Sequence, residues 1–442
     1  MIRLKQLAPL LIPLVALTGI IGYVAYRTRR IPIPRRRWKR FDHISATPLT
    51  ASAIQSLQGI YTTGEAASFF GKTVVVKSSY TVEKEETIYH LSFFCEKGGK
   101  YILFEGKQQG NDILLKGHWR RAAATGKGLA WLVIENGMEL LDNKDGQQKL
   151  QLQGWYGFEN DKPSERLSLQ FEKPLPEAPP FDVIAHRGGG RNVDFLSISE
   201  NTTEMVKLAA RLGATGIEID VRMTKDNVPV IFHDSFLSIH TVQGMIFGGM
   251  VHHKTLKELK QLELRNLGEI PTLEEMLSTV VYQTPLEIVW LDIKKECDLA
   301  QVRELQQTYQ QKAAAIERKV TIYIGVPDKY MLNCFTKLDK YQDVFSICEM
   351  NWDTTRKINA QVWAPQYTSG FQADTMEKVH AAGKKGYVWS LDNKLMIETY
   401  ISGGGFDGLV TNTPPVVAHW YYTKGYKIRA KQIASRNVNA NL

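Results

Sequence analysis

Residues 181–234 read FDVIAHRGGGRNVDFLSISENTTEMVKLAARLGATGIEIDVRMTKDNVPVIFHD. Three short apolar runs, at 183–185, 216–221 and 229–232, flank one amphipathic stretch at 202–212. Short apolar runs predict buried strands, and the stretch between them predicts a helix. Strand, helix, strand is the unit from which parallel sheets are built. His186 and His233 each close an apolar run, and Glu218 and Asp220 lie inside the middle one. Successive strand side chains face opposite ways, so these two carboxylates share a face. They repel each other unless a cation lies between them, and oxygen ligands of this kind suit Ca²⁺ or Mg²⁺. Two nearby histidines could act as general acid and general base. Carboxylates around a metal, with paired histidines, fit hydrolysis of a phosphate ester.

Downstream the pattern repeats. Apolar runs recur at 287–293, 320–326, 344–348, 387–391 and 408–411, and helical stretches at 272–280, 299–317, 374–382 and 394–401. Alternation of this length predicts a (β/α)8 TIM-like barrel over residues 181–424, followed by a tail over 425–442. A further run at 362–365 leaves the strand count open. The candidate site residues stand late in their runs, where such a barrel places its active site.

The same residues resemble the glycerophosphodiester phosphodiesterase family. His186-Arg187-Gly188, Glu200-Asn201-Thr202, Glu218-Ile219-Asp220-Val221, Thr224-Lys225-Asp226 and His233-Asp234 stand for the family's HRG, ENT, ExDV, TKDG and HD. The likeness continues through residues 270–275, Asp292-Ile293-Lys294, Trp389 and residues 407–411, and covers roughly residues 181–422. It implies acid and base roles for His186 and His233, without saying which is which. It implies Asp292 as a third metal ligand beside Glu218 and Asp220. The family usually has glutamate there, one methylene longer. Lys294 and Arg187 become phosphate-binding cations by resemblance. Trp389 either lines the substrate pocket or packs the barrel end. Asp234 either orients a histidine or caps a turn. Glu200, in the ENT motif, is by resemblance a substrate-binding residue, although it and Asn201 could equally cap the helix that Thr202 opens. Gly188-Gly189-Gly190 permits a close backbone approach to phosphate but is weak evidence alone. The family more often has proline where Ser199 stands.

Upstream, residues 173–180 (KPLPEAPP) carry four prolines and predict an extended linker. Residues 45–172 read as short strands rich in β-branched and aromatic residues, with turn signals at Gly98-Gly99, Gly110-Asn111 and Asp145-Gly146. About eight antiparallel strands predict a small barrel or sandwich, either structural or able to hold one small ligand. Residues 7–26 form an uncharged apolar run long enough for a transmembrane helix, within a segment 1–40 that ends in a basic cluster. A signal peptide is the rival, but Tyr23-Val24-Ala25 puts a bulky side chain where cleavage wants small ones. Two basic residues precede the run (Arg3, Lys5), and eight follow it by Arg40. That asymmetry predicts a single-pass membrane protein with a cytoplasmic catalytic barrel, the alternative being a periplasmic or extracellular one.

The chain has 442 residues, a net charge of +9 and a pI near 9.1. The ten basic residues before Asp42 account for all of that excess and leave the rest at about −1. Nucleic acid is therefore excluded as a partner. The four cysteines, Cys95, Cys297, Cys334 and Cys348, are scattered and predict free thiols.

The expected activity is metal-dependent hydrolysis of glycerophosphodiesters to glycerol 3-phosphate and an alcohol. The alternatives are a phospholipase-D-like phosphodiesterase acting on lysophospholipids, and a non-catalytic lipid- or sugar-binding protein.

Overall fold

The computed structural model describes residues 17–19, 22–23 and 30–439, apart from 144, 246 and 296. The first nine strands are β1 (Thr47–Pro48), β2 (Gly59–Thr63), β3 (Thr73–Glu83), β4 (Glu86–Cys95), β5 (Lys100–Gln109), β6 (Asp112–Arg121), β7 (Lys127–Ile134), β8 (Gln151–Tyr156) and β9 (Glu165–Lys173). From β2 to β9 each strand pairs antiparallel with the next, and β9 returns to β2. The result is a closed up-and-down barrel of eight strands rather than a sandwich, with β1 added to β5. Alternate residues point inward: Val74 and Val76, Leu91 and Phe93, Ile102 and Phe104, Leu167 and Leu169 join Phe70 and Trp119 in one core. Large residues at these positions fill the interior of a barrel this size.

The second barrel begins after residues 174–181. Its strands are β10 (Asp182–Ala185), β11 (Gly216–Met223), β15 (Ile288–Ile293), β16 (Thr321–Val326), β17 (Ser346–Cys348), β18 (Val362–Trp363), β19 (Lys385–Val388) and β20 (Gly408–Thr411). All eight run parallel, and β20 closes on β10. The run at 362–365 is thus a barrel strand. The run at 229–232 is the extra one: β12 (Pro229–Ile231) pairs antiparallel with the end of β11. Helices follow each barrel strand, and their starts are written in side chains. Thr202, Asp298, Asp328, Asn351 and Asn393 each accept from a first-turn N–H, and Thr272 with Glu275 forms a capping box. Ile184, Trp290, Tyr323, Ile347, Val362, Tyr387 and Val410 fill the barrel's inside.

Two additions shape the site end. Between β12 and helix Leu273–Gln283, the hairpin β13 (Phe236–Ser238) and β14 (Phe247–Met250) sits on its own small core of Val230, Phe232, Leu237, Val251 and Leu264. The N-terminal barrel docks through Ile60, Val75, Phe94, Tyr101 and Leu103 against Leu212 and Ala418. Gly213 ends helix Thr203–Arg211 at φ +91, and a Cβ there would lie 2.9 Å from the Phe94 ring. Only glycine allows both the left-handed turn and that approach. After β20, helix Tyr426–Asn439 holds Asp407 through Arg429 and Arg436.

The expected membrane-spanning helix is not upheld, and the single-pass placement that rested on it falls too. Among the described residues no helix is long and apolar enough to cross a membrane. Most of residues 7–26 lie outside the described residues. Hydropathy reads only the composition of this run, whereas a span also needs an unbroken helix of roughly 20 residues.

Candidate active site

The site stands at the C-terminal ends of the parallel strands. Asp220 on β11 and Asp292 on β15 are direct partners in the parallel register. Glu218, two residues earlier on the same face, completes a group whose ligand oxygens all lie within 4.8 Å of one another. Lys294 sits between two of the three, with Nζ 2.7 Å from Asp220 Oδ1 and 2.6 Å from Asp292 Oδ2. Asn201 Nδ2 donates to the other oxygen of Asp220 at 2.7 Å.

Charge follows from this packing. Burial, then the carboxylates of Asp220 and Asp292, push Glu218 well above the ordinary range. Burial also lifts Asp292, and the ammonium of Lys294 only partly opposes it. For Asp220 the burial penalty is outweighed by Lys294 and His233, and its carboxyl is held at about 2. Burial would lower Lys294, but the two carboxylates outweigh it and hold the ammonium above its usual value. Three carboxylates against one lysine leave a deficit of positive charge. A small oxygen-only cage with that deficit fits a hard divalent cation.

His186 directly follows β10. Its Nδ1 lies 2.7 Å from Asn412 Oδ1, and Asn412 donates Nδ2 to Asp392 at 2.7 Å. That fixes the amide orientation, so Nδ1–H of His186 donates and Nε2 keeps its lone pair. Nε2 lies 3.7 Å from Glu218 Oε2. Burial lowers the His186 pKa, which favours the neutral ring. His233 follows β12, and its Nδ1 meets Asp234 Oδ1 at 2.7 Å. Its Nε2 accepts from Arg187 Nη2 at 2.9 Å. Arg187 also donates Nη1 to Glu200 Oε1 at 3.0 Å and its backbone N–H to Glu218 Oε2 at 2.9 Å. Glu200 is buried and exchanges hydrogen bonds with Asn192. Burial raises its pKa despite the neighbouring Arg187. Arg187, Phe195 and Asn201 all take positive φ, at 51°, 60° and 58°. Such backbone strain collects at functional sites.

His186, His233, Glu218, Asp220, Asp292, Arg187, Lys294 and Glu200, all singled out from sequence, are thus brought together, with Asn201 and Asp234 beside them. Trp389 stands apart. It follows β19, donates Nε1 to Ala364 O at 2.9 Å and packs on the inner barrel cluster. Sequence reasoning missed Asn412, Asp392, Asn192 and Glu349. Asn412 follows β20 as His186 follows β10, and that parity was a usable signal. Glu349, one residue past β17, is pushed up to about 8 by burial and by Asp292.

The sequence pattern of the Glycerophosphoryl diester phosphodiesterase family matches residues 186–416. A glycerophosphodiester phosphodiesterase of Caldanaerobacter subterraneus is 30% identical over 243 residues, spanning 52% of this chain and 94% of that protein. Glycerophosphodiester phosphodiesterase 1 of Mus musculus is 33% identical over 144 residues, 30% of this chain and 39% of that protein. Among solved structures, an Oleispira antarctica phosphodiesterase in complex with sn-glycerol-3-phosphate is 21% identical, with a TM-score of 0.42. The match spans 55% of this chain and 96% of that one. With the family pattern running through more than half of the chain, this protein belongs to the glycerophosphoryl diester phosphodiesterase family and is a phosphodiesterase of that class.

Proposed function

We propose that the chain hydrolyses glycerophosphodiesters to glycerol 3-phosphate and an alcohol, using a divalent ion together with His186 and His233. The observation that carries the reading is the face-to-face pair Asp220 and Asp292, joined by Glu218 and flanked by both histidines. These three carboxylates would hold the ion, Ca²⁺ or Mg²⁺. When bound it supplies positive charge opposite the phosphate oxygens, which grow more negative in the transition state.

Arg187 and Lys294 bind and orient the phosphodiester. Arg187 turns from His233 to the phosphate, which frees His233 Nε2. His186, kept neutral by burial and with its Nε2 lone pair free, takes the proton from the attacking oxygen. That oxygen is the neighbouring glycerol hydroxyl or a water. His233, whose Nδ1 is held by the Asp234 carboxylate, gives its proton to the departing alcohol. One P–O bond forms and one breaks. If the glycerol hydroxyl attacks, water opens the cyclic phosphate with the two histidine roles reversed.

A second reading, lysophospholipid substrates, is favoured by one feature. The β13–β14 hairpin begins two residues after Asp234 and exposes Phe236 (41%) and Phe247 (75%), with rings 6.2 Å apart. An acyl chain would suit that surface better than a free headgroup does. Product analysis with glycerophosphocholine beside lysophosphatidylcholine, with and without chelator, tests both. Release of glycerol 3-phosphate that stops on chelation supports the first reading, and cleavage of neither substrate rejects both.

A further inference from the structure

Arg120 of the N-terminal barrel reaches the loop that carries part of the active site. Arg120 stands near the end of β6 and is 4% exposed. Its Nη2 donates to the carbonyl of Phe195, and its Nη1 donates to Ser197 Oγ at 3.1 Å. Both acceptors lie on the loop between β10 and helix Thr203–Arg211. Among the described residues, no carboxylate lies within ion-pair distance of this guanidinium. Its Nε is buried without a partner. Burying a cation against neutral partners is costly, and an apolar side chain would stabilise the contact more cheaply. The contact therefore serves the position of the loop better than it serves stability.

The loop needs holding. Phe195 is a bulky residue at φ 60°, ψ 28°, a conformation that persists only when its surroundings impose it. A cavity of about 150 Å³, lined by Ile31, Arg120, Lys127, Phe195 and Arg265, lies beside the loop. Packing is thin there, so hydrogen bonds set the loop's place. From the loop a continuous chain of bonds enters the site. Asn192 N–H donates to Glu200 Oε2 at 2.7 Å, and Glu200 N–H donates to Asn192 Oδ1 at 3.1 Å. Glu200 holds Arg187 at 3.0 Å, and Arg187 meets His233 at 2.9 Å. A second brace comes from the residues leading into the N-terminal barrel. Ile31 N–H donates to Asn266 Oδ1 at 3.2 Å, and Asn266 N–H donates to Ser199 Oγ at 3.0 Å.

We propose that Arg120 is a positioning residue for catalysis: the N-terminal barrel uses it to fix the 192–199 loop, and through Glu200 it fixes Arg187 and His233. The accessory barrel thereby belongs to the working enzyme. The inference rests on the roles given above to Arg187 and His233. R187A and H233A test those roles separately, since full activity in either removes that reading whatever Arg120 does.

The experiment is steady-state kinetics on full-length R120A, R120K, S197A and R120A/S197A, each first shown to unfold cooperatively. Misplacing reacting groups by about 1 Å costs up to about 10²-fold in rate. R120A is expected to lower kcat about 10- to 100-fold while KM changes less than about threefold. S197A removes one of the two contacts and buries no new charge, so a loss of about three- to tenfold is expected. R120K keeps the charge and recovers part of the R120A loss. The double variant should be no slower than R120A, because both changes cut the same link. A folded R120A within twofold of wild-type kcat overturns the proposal, as do losses that multiply in the double variant. Should R120A fail to fold, S197A decides, and unchanged kcat there overturns the proposal equally.

Discussion

Lys294→Met removes the only ammonium, among the described residues, that touches the carboxylate cluster. Its Nζ bridges Asp220 at 2.7 Å and Asp292 at 2.6 Å, and Asp220 is 1% exposed. Breaking a buried pair by deleting one partner costs about 3–5 kcal/mol. The lower end applies, because Glu218 and Asp292 are already pushed toward protonation and one of them takes up a proton to relieve the repulsion. A loss of about 3 kcal/mol lowers the melting temperature of a domain this size by about 6–12 °C. A divalent ion should offset part of the loss. In the wild type it must share the carboxylates with Lys294, and in K294M it has no competitor. A tenfold gain in ion affinity adds up to about 1.4 kcal/mol of stabilisation at saturation. Thermal unfolding of both proteins in EDTA, and again in millimolar Mg²⁺ or Ca²⁺, reads both effects without any activity measurement. Equal melting temperatures in EDTA, or equal gains from the ion, would refute the reasoning.

His186→Ala and His233→Ala should each lower turnover by at least about 10²-fold with normal folding, and a near wild-type rate in either makes that histidine structural. Chelation should abolish activity and added divalent ion restore it, with E218Q and D292N needing more ion for half-maximal rate; full activity in exhaustively metal-stripped enzyme contradicts the cage. Asn412→Leu leaves His186 Nδ1 without its acceptor and should cost about tenfold or more in kcat, whereas an unchanged rate means the ring is held some other way. Stability should fall on acidification below about pH 6.5. His90 and His419 are buried neutral, at about 3 and about 4 against 6.5 unfolded, mainly through burial. The unfolded chain therefore binds protons first. Each site removes about 2 kcal/mol between pH 6.5 and 4.5. In denaturant titrations H90F should lose less stability than wild type between pH 7.5 and pH 5, and parallel pH curves would count against this.

What could be read in advance was local. Alternation placed Glu218 and Asp220 on one face, and the helices expected from 202 and 272 begin within a residue of those positions, with Thr202 and Thr272 as the caps. Register and closure are long-range and carry no local signal. The direct pairing of Asp220 with Asp292, the meeting of His186 with Asn412, and the β2–β9 seam that makes a barrel of the first sheet all depend on which strands become neighbours. The status of β12 was more accessible. Residues 224–228 are too few for a parallel crossover, so that run had to fold back on β11. Arg120 was invisible for another reason. A buried arginine on a strand looks like any surface one until its loop partner, 75 residues later, is in place.

The docking of the two barrels also bears on the order of assembly. Domains fold largely as they emerge, N-terminal first. All the strands of the antiparallel barrel, paired mostly with their neighbours in sequence, are synthesised before any of the parallel strands. The barrel then presents Ile60, Val75, Phe94, Tyr101 and Leu103 as an apolar landing face. Leu212 reaches that face early, at the end of the first helix of the second barrel, and Ala418 reaches it about 200 residues later, from the helix Pro414–Trp420 that follows β20. Those two helices flank the β10–β20 seam, the place where the beginning and end of the catalytic barrel must find each other. A preformed platform that grips both ends turns an encounter across more than 200 residues into two dockings on one surface, and gives the nascent chain a scaffold on which to close.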